Sequence, residues 1–296
     1  DDVTHLSIEP ALFPMPGDPS QISVKFWGIG SDGLVGASKN TAKIIGDHTD
    51  KYVQAYFQYD SKKSGGLTIS HLRFGDHPIR SAYYVGDADC VVCGNPSYVD
   101  KYDMVGDVKP GGVFLLNCSW SEEGLERRLP ADMKRTLAQK GIHLYLCDAV
   151  TIAREIGLKG RINTIIQSAY FKLAGILPAE EAIEYMKQGI VNDYAAKGQK
   201  IVDMNVAAVL AGQTAAREVA VPEHWAHLEE EPRAAVGLTG ANADQADYVQ
   251  NILLPTNRME GDSLPVSTFL PYATGKVPSG TSAFEKRGIA VEIPVW

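Results

Sequence analysis

The chain has 296 residues, of which 45% are hydrophobic and 22% charged, and carries a net charge of −8. That balance suits a globular protein of one large or two smaller domains with a sizeable core. The acidic charge excludes a general nucleic-acid or acidic-membrane binder, which needs basic surface to displace counterions, and no apolar run approaches the length of a membrane span.

Residues 1–20 hold Pro10, Pro14, Pro16 and Pro19 and read as an incoming, mostly extended linker. Residues 22–27 predict a strand, and a glycine-rich turn leads from it into a helix over Leu34–Ile45. Lys51–Tyr59, rich in β-branched and aromatic residues, predicts a second strand. A polar loop, Asp60-Ser61-Lys62-Lys63-Ser64-Gly65-Gly66, follows. Further strands are expected at Leu67–Phe74, Ala88–Cys93, Val113–Asn117 and Ile142–Leu146, with helices at Tyr98–Met104, Leu125–Lys140 and Thr151–Leu158 between them. This alternation predicts an α/β fold, with a Rossmann-like, mostly parallel sheet flanked by helices. Asn163–Leu173, Ala179–Gly189 and Asn192–Ala211 predict a C-terminal helical part. Beyond Val221 the chain carries seven of its sixteen prolines and reads as an extended, proline-rich connecting segment, with His224-Trp225-Ala226-His227 at the surface. The expected division is residues 1–20, 21–220 and 221–296. The chain opens Asp1-Asp2-Val3 without methionine and closes in a strand-like run, which reads as a segment of something longer or a processed subunit.

The chemistry concentrates at Gly28-Ile29-Gly30-Ser31-Asp32-Gly33-Leu34-Val35-Gly36-Ala37-Ser38-Lys39. Glycines permit tight-turn dihedrals and close ligand approach, and the helix start offers unpaired N–H groups and a positive dipole end to a phosphate. A nicotinamide dinucleotide site calls for an acid after the second strand, and Asp60 stands there. Yet Lys62, Lys63, Ser64 and Gly65 follow at once, which suits a second phosphate better than a ribose diol. A ligand with a pyrophosphate and a separate sugar phosphate uses both loops, and coenzyme A and NADP are the candidates. Parallel sheets bind ligands beyond the carboxyl ends of their strands, where Asn95 and Asn117 also fall. Cys90-x-x-Cys93 lacks a second cysteine pair, so no metal site is read. The cysteines suit reduced, buried thiols and a cytoplasmic setting. No hydrolase triad or other catalytic set is evident.

These residues also carry a resemblance. Gly28 to Asn40, Tyr59 to Gly66, Ser70-His71-Leu72-Arg73-Phe74, Gly94 to Tyr98 and Gly160-Arg161-Ile162-Asn163 resemble the gamma region of the 2-oxoacid:ferredoxin oxidoreductases, most specifically the long-chain pyruvate:ferredoxin (or flavodoxin) type, or pyruvate synthase. Tyr272 to Trp296 is similar to the connection into that family's ferredoxin-like domain. The resemblance implies a coenzyme A-binding portion of an enzyme that converts pyruvate to acetyl-CoA and carbon dioxide. It implies thiamine diphosphate and 4Fe-4S clusters elsewhere in the enzyme, a homodimer, and ferredoxin or flavodoxin as acceptor. No thiamine or cluster motif is present here, so the segment alone is expected to be catalytically silent. On this reading coenzyme A is held by Gly30, Ser31, Asp32, Gly33, Gly36, Ser38, Lys39, Lys62, Lys63, Ser64, Gly65 and Asn95, with Asn117 and Asn163 as further lining. The alternatives are a free-standing NADP-dependent dehydrogenase and a non-catalytic scaffold.

Overall fold

The computed structural model describes residues 1–8, 18–60, 65–229 and 237–285. The chain divides into two compact units, one of residues 18–100 with 104–230 and one of residues 1–17, 101–103 and 231–296.

The first unit is built on a seven-stranded sheet. Its strands are β1 (Ile22–Ile29), β2 (Tyr52–Tyr59), β3 (Leu67–Gly75), β4 (Ala88–Cys93), β5 (Val108–Asn117), β6 (His143–Cys147) and β7 (Ala216–Val219), in the spatial order β2-β3-β1-β4-β5-β6-β7. β1, β4, β5 and β6 pair in parallel, so their carboxyl ends share one edge of the sheet. β3 and β7 run against their neighbours. For β3 the reason is reach: the connection from Tyr59 to Leu67 is far too short for a parallel crossover and closes a hairpin.

Alternation along β1 explains how both faces are covered. Val24 and Phe26 join the core made with α1 (Leu34–His48), α5 (Asn163–Ala174), α6 (Ala179–Tyr194) and α7 (Gln199–Ala215). Lys25 and Trp27 point to the other face, where Lys25 pairs with Asp107 and lies near the Trp27 ring. In the first core Tyr170 packs edge-on to Phe26, with ring centroids 5.0 Å apart. Its hydroxyl is buried without a hydrogen-bond partner. Tyr170→Phe is therefore expected to stabilise the protein by about 1 kcal/mol, a gain of a few degrees in melting temperature. A lower melting temperature would show that the hydroxyl is bonded after all.

Several elements differ from the sequence expectation. Tyr98–Met104 is not a helix: the chain makes a 3-10 turn at Pro96–Tyr98, capped by the Asn95 side chain, and then leaves helical geometry. The single helix expected over Leu125–Lys140 is two, α2 (Glu122–Arg128) and α3 (Ala131–Gln139). Pro130 divides them, because it lacks a donor and forces Leu129 into an extended conformation. The helix expected to begin at Asn192 instead starts at Gln199, after Gly198 turns the chain at φ +99°. Trp225 is not at the surface: it is 2% exposed, and its indole N–H donates to Glu126 Oε2 at 2.6 Å.

In the second unit, residues read as extended form short helical turns instead. Ala243–Tyr248 is a helix with a reciprocal capping box between Asn242 and Gln245. Pro265 directly precedes a 3-10 turn, where a missing N–H is harmless, whereas Pro255 follows a π-turn at Val249–Leu253 inside one continuous helical run that ends at Asn257. No helix among the described residues is long and apolar enough to cross a membrane.

Candidate functional site

The glycine turn stands at the carboxyl end of β1 and is shaped by its own backbone. Ser31 lies at φ +81° and Gly33 at φ +87°, both left-handed. A Cβ at Gly33 would also lie 2.9 Å from the side chain of Asn163, the first residue of α5. The Gly30 amide donates to the Gly66 carbonyl at 2.8 Å, which ties the turn to the start of β3.

Asp32 caps the turn from inside. Its Oδ2 accepts the Ile29 amide at 2.7 Å and its Oδ1 the Leu34 amide at 2.8 Å. Burial pushes its carboxyl pKa up, against the pull of these two bonds. The Asp32 amide is itself used by the Ile29 carbonyl, and the Ala37 amide by the Gly33 carbonyl. Among the described residues the amides of Ser31, Gly33, Val35 and Gly36 take no acceptor. Gly33, at the helix N-cap, offers no side chain to cap them.

A cavity of about 320 Å³ opens here, bordered by Ser31, Asp32, Gly33, Tyr59, Asp60 and Thr68 among others. The structure thus joins Gly30, Ser31, Asp32 and Gly33 with the Gly65–Gly66 backbone and with Asn163. Gly36 lies one residue beyond the cavity-lining Val35, and no atom stands within 4 Å of where its Cβ would be.

Other expected residues are used internally. Ser38 is fully buried and its hydroxyl donates to the Leu34 carbonyl at 2.9 Å. Asn117, 2% exposed, donates to the Gly94 carbonyl at 2.9 Å and accepts the Ala149 amide at 3.1 Å. Asn95 accepts the Ser97 amide at 3.1 Å. Lys39 is exposed on α1, with Nζ 5.1 Å from the Phe57 ring centroid on β2. Lys62, Lys63 and Ser64 lie outside the described residues. Sequence reasoning did not single out Tyr59 and Thr68. Their signal was position alone, at the two ends of the hairpin loop.

The four cysteines are free and buried, and burial raises their thiol pKa values to about 11 for Cys118 and about 12 for Cys90, Cys93 and Cys147. They are poor nucleophiles.

A family model described as pyruvate ferredoxin/flavodoxin oxidoreductase matches residues 23–215. The chain belongs to this family. A second family model, described only as a domain of unknown function, matches residues 239–290. The pyruvate:ferredoxin oxidoreductase of Moorella thermoacetica is 52% identical over all of this chain, and the pyruvate-flavodoxin oxidoreductase of Klebsiella pneumoniae is 51% identical. The chain spans about a quarter of the length of each. In fold, it is similar to a pyruvate oxidoreductase subunit from Thermotoga maritima, with a TM-score of 0.55 and 20% identity over 68% of this chain and 99% of that one. It is also similar to a 2-oxoglutarate:ferredoxin oxidoreductase from Magnetococcus marinus, solved with 2-oxoglutarate, coenzyme A and succinyl-CoA bound (TM-score 0.50, 16% identity, 89% of this chain and 44% of that one).

Proposed function

We propose that this chain is the coenzyme A-binding part of an enzyme that oxidises pyruvate. In the reaction, pyruvate and coenzyme A give acetyl-CoA, carbon dioxide and a proton, and two electrons pass to ferredoxin or flavodoxin. The observation that carries the reading is the set of unpaired amides at Ser31, Gly33, Val35 and Gly36 beside a cavity at the carboxyl edge of the sheet. Such amides, at a helix start, are donors for a phosphate. Lys62 and Lys63 supply charge for a second phosphate in the same hairpin loop. The oxidoreductases that are about half identical to this chain support the reaction, and the Magnetococcus enzyme was solved with coenzyme A bound.

The division of labour rests on how little of its relatives' length this chain spans and on which residues it holds. Among those described, no group of three or more His, Cys, Asp or Glu side chains is placed to hold a metal. The chain spans about a quarter of the length of the oxidoreductases it matches, and on this reading the iron–sulfur clusters and thiamine diphosphate of the reaction are held by the remainder of the enzyme. This chain binds and orients a substrate whose thiol reacts elsewhere. The four unpaired cysteines fit a reducing cytoplasm.

Titration calorimetry tests the binding claim. Coenzyme A is expected to bind far more tightly than adenosine, and Lys62→Ala with Lys63→Ala to weaken it. Equal affinity for coenzyme A and adenosine would overturn the reading, and a change in nicotinamide fluorescence on mixing with NADPH would favour a dehydrogenase.

A further inference from the structure

We propose that Asp32 is a built-in competitor for the ligand's phosphate at the glycine turn, so that phosphate binding draws a proton onto its carboxyl group. This inference rests on the reading of the turn as a phosphate site.

The geometry sets up the competition. The Asp32 side chain folds back and takes two of the turn's amides, those of Ile29 and Leu34, at 2.7 and 2.8 Å. It borders the same cavity as the unpaired amides of Ser31, Gly33 and Val35. A carboxylate therefore occupies part of the donor set that would hold a phosphate, and stays beside it when the ligand enters. Like charges at this range repel strongly in a partly dewatered site.

The surroundings do not relieve that repulsion. The groups facing Asp32 are the Thr68 hydroxyl on β3, the buried Cys93 thiol on β4 and, across the cavity, the Asp60 carboxyl at the end of β2. Asn163 on α5 borders the same turn as a neutral amide. No described cation pairs with Asp32. Burial already favours its neutral form, and an arriving phosphate pushes in the same direction.

The sign follows from linkage. A carboxyl whose pKa rises on binding takes up a proton, so affinity grows as pH falls through the interval between the free and bound values. Protonation of the ligand's own phosphate acts in the opposite sense, weakening binding as pH falls. The two contributions are thus separable by direction.

Coenzyme A is titrated into the 296-residue chain over a pH series that runs upward from the ordinary carboxylate range to about pH 8. Each titration is run in two buffers of different ionisation enthalpy, which counts protons taken up. Asp32→Asn and Asp32→Ser are compared with the native chain. Both are neutral and both keep an acceptor for the Leu34 amide, so one remains informative if the other fails to fold. The native chain is expected to take up protons on binding and to bind more tightly toward acid. The neutral variants are expected to bind roughly tenfold more tightly near pH 8 and to lose the uptake. Native affinity and native proton uptake in the variants would overturn the proposal and leave the phosphate site standing. So would binding by the native chain that weakens toward acid with no proton uptake. No binding of coenzyme A by any of the three proteins would sink both.

Discussion

Asn117→Leu is expected to cost about 3–5 kcal/mol, because leucine leaves two buried backbone groups unpaired. The Asn117 amide donates to the Gly94 carbonyl beyond β4 and accepts the Ala149 amide at the start of α4 (Ala149–Ile156). It ties together the ends of two parallel strands and the start of the following helix. At 2% exposure no solvent can replace those bonds. For a domain of this size the cost corresponds to a fall of roughly 10 °C in melting temperature. Asn117→Asp is expected to be intermediate: it still accepts from Ala149 but sets a second acceptor against the Gly94 carbonyl. Thermal melts check this directly. If Asn117→Leu melted like the native chain and lost only coenzyme A affinity, the amide would be a ligand contact and not a structural tie.

The same residue shows where the sequence stops being legible. Asn117 at a strand end reads equally well as a ligand contact or a tie. The choice depends on the register of β4, β5 and β6, which brings Gly94 and Ala149 to its two sides, and no local pattern encodes that register. Local signals did carry the strands, the glycine turn and α1, since each rests on periodicity or turn chemistry within a dozen residues. The split at Pro130 was also written locally: a proline after Leu129 limits any helix running through it. Trp225 is different again. Its neighbours are histidines and acids, so the segment looks solvated, yet the ring packs against Lys134 of α3 and its N–H is met by Glu126, 99 positions earlier. At the site itself, the glycines announced a turn, whereas the inward fold of Asp32 shows only once Ile29 and Leu34 are placed around it.

The glycines of the turn separate shape from binding, and two alanine substitutions test the distinction. Gly33 sits at φ +87°, where a Cβ costs roughly 1–2 kcal/mol. That Cβ would also lie 2.9 Å from the Asn163 side chain, so Gly33→Ala is expected to lower the melting temperature and to abolish coenzyme A binding together. Gly36 is the opposite case. It lies in the first turn of α1, with open space where a Cβ would be. Alanine there improves helix propensity by up to about 1 kcal/mol, so Gly36→Ala should melt at or above the native temperature. Its methyl group, however, would crowd a phosphate seated on the Gly36 amide, one residue beyond the cavity-lining Val35. Losing one charge-assisted bond of roughly 1.5 kcal/mol or more lowers affinity about tenfold. A stable Gly36→Ala protein with weakened coenzyme A binding would mean that this glycine is kept for the ligand. Native affinity in the same protein would mean that the helix-start amides face solvent and do not hold the phosphate.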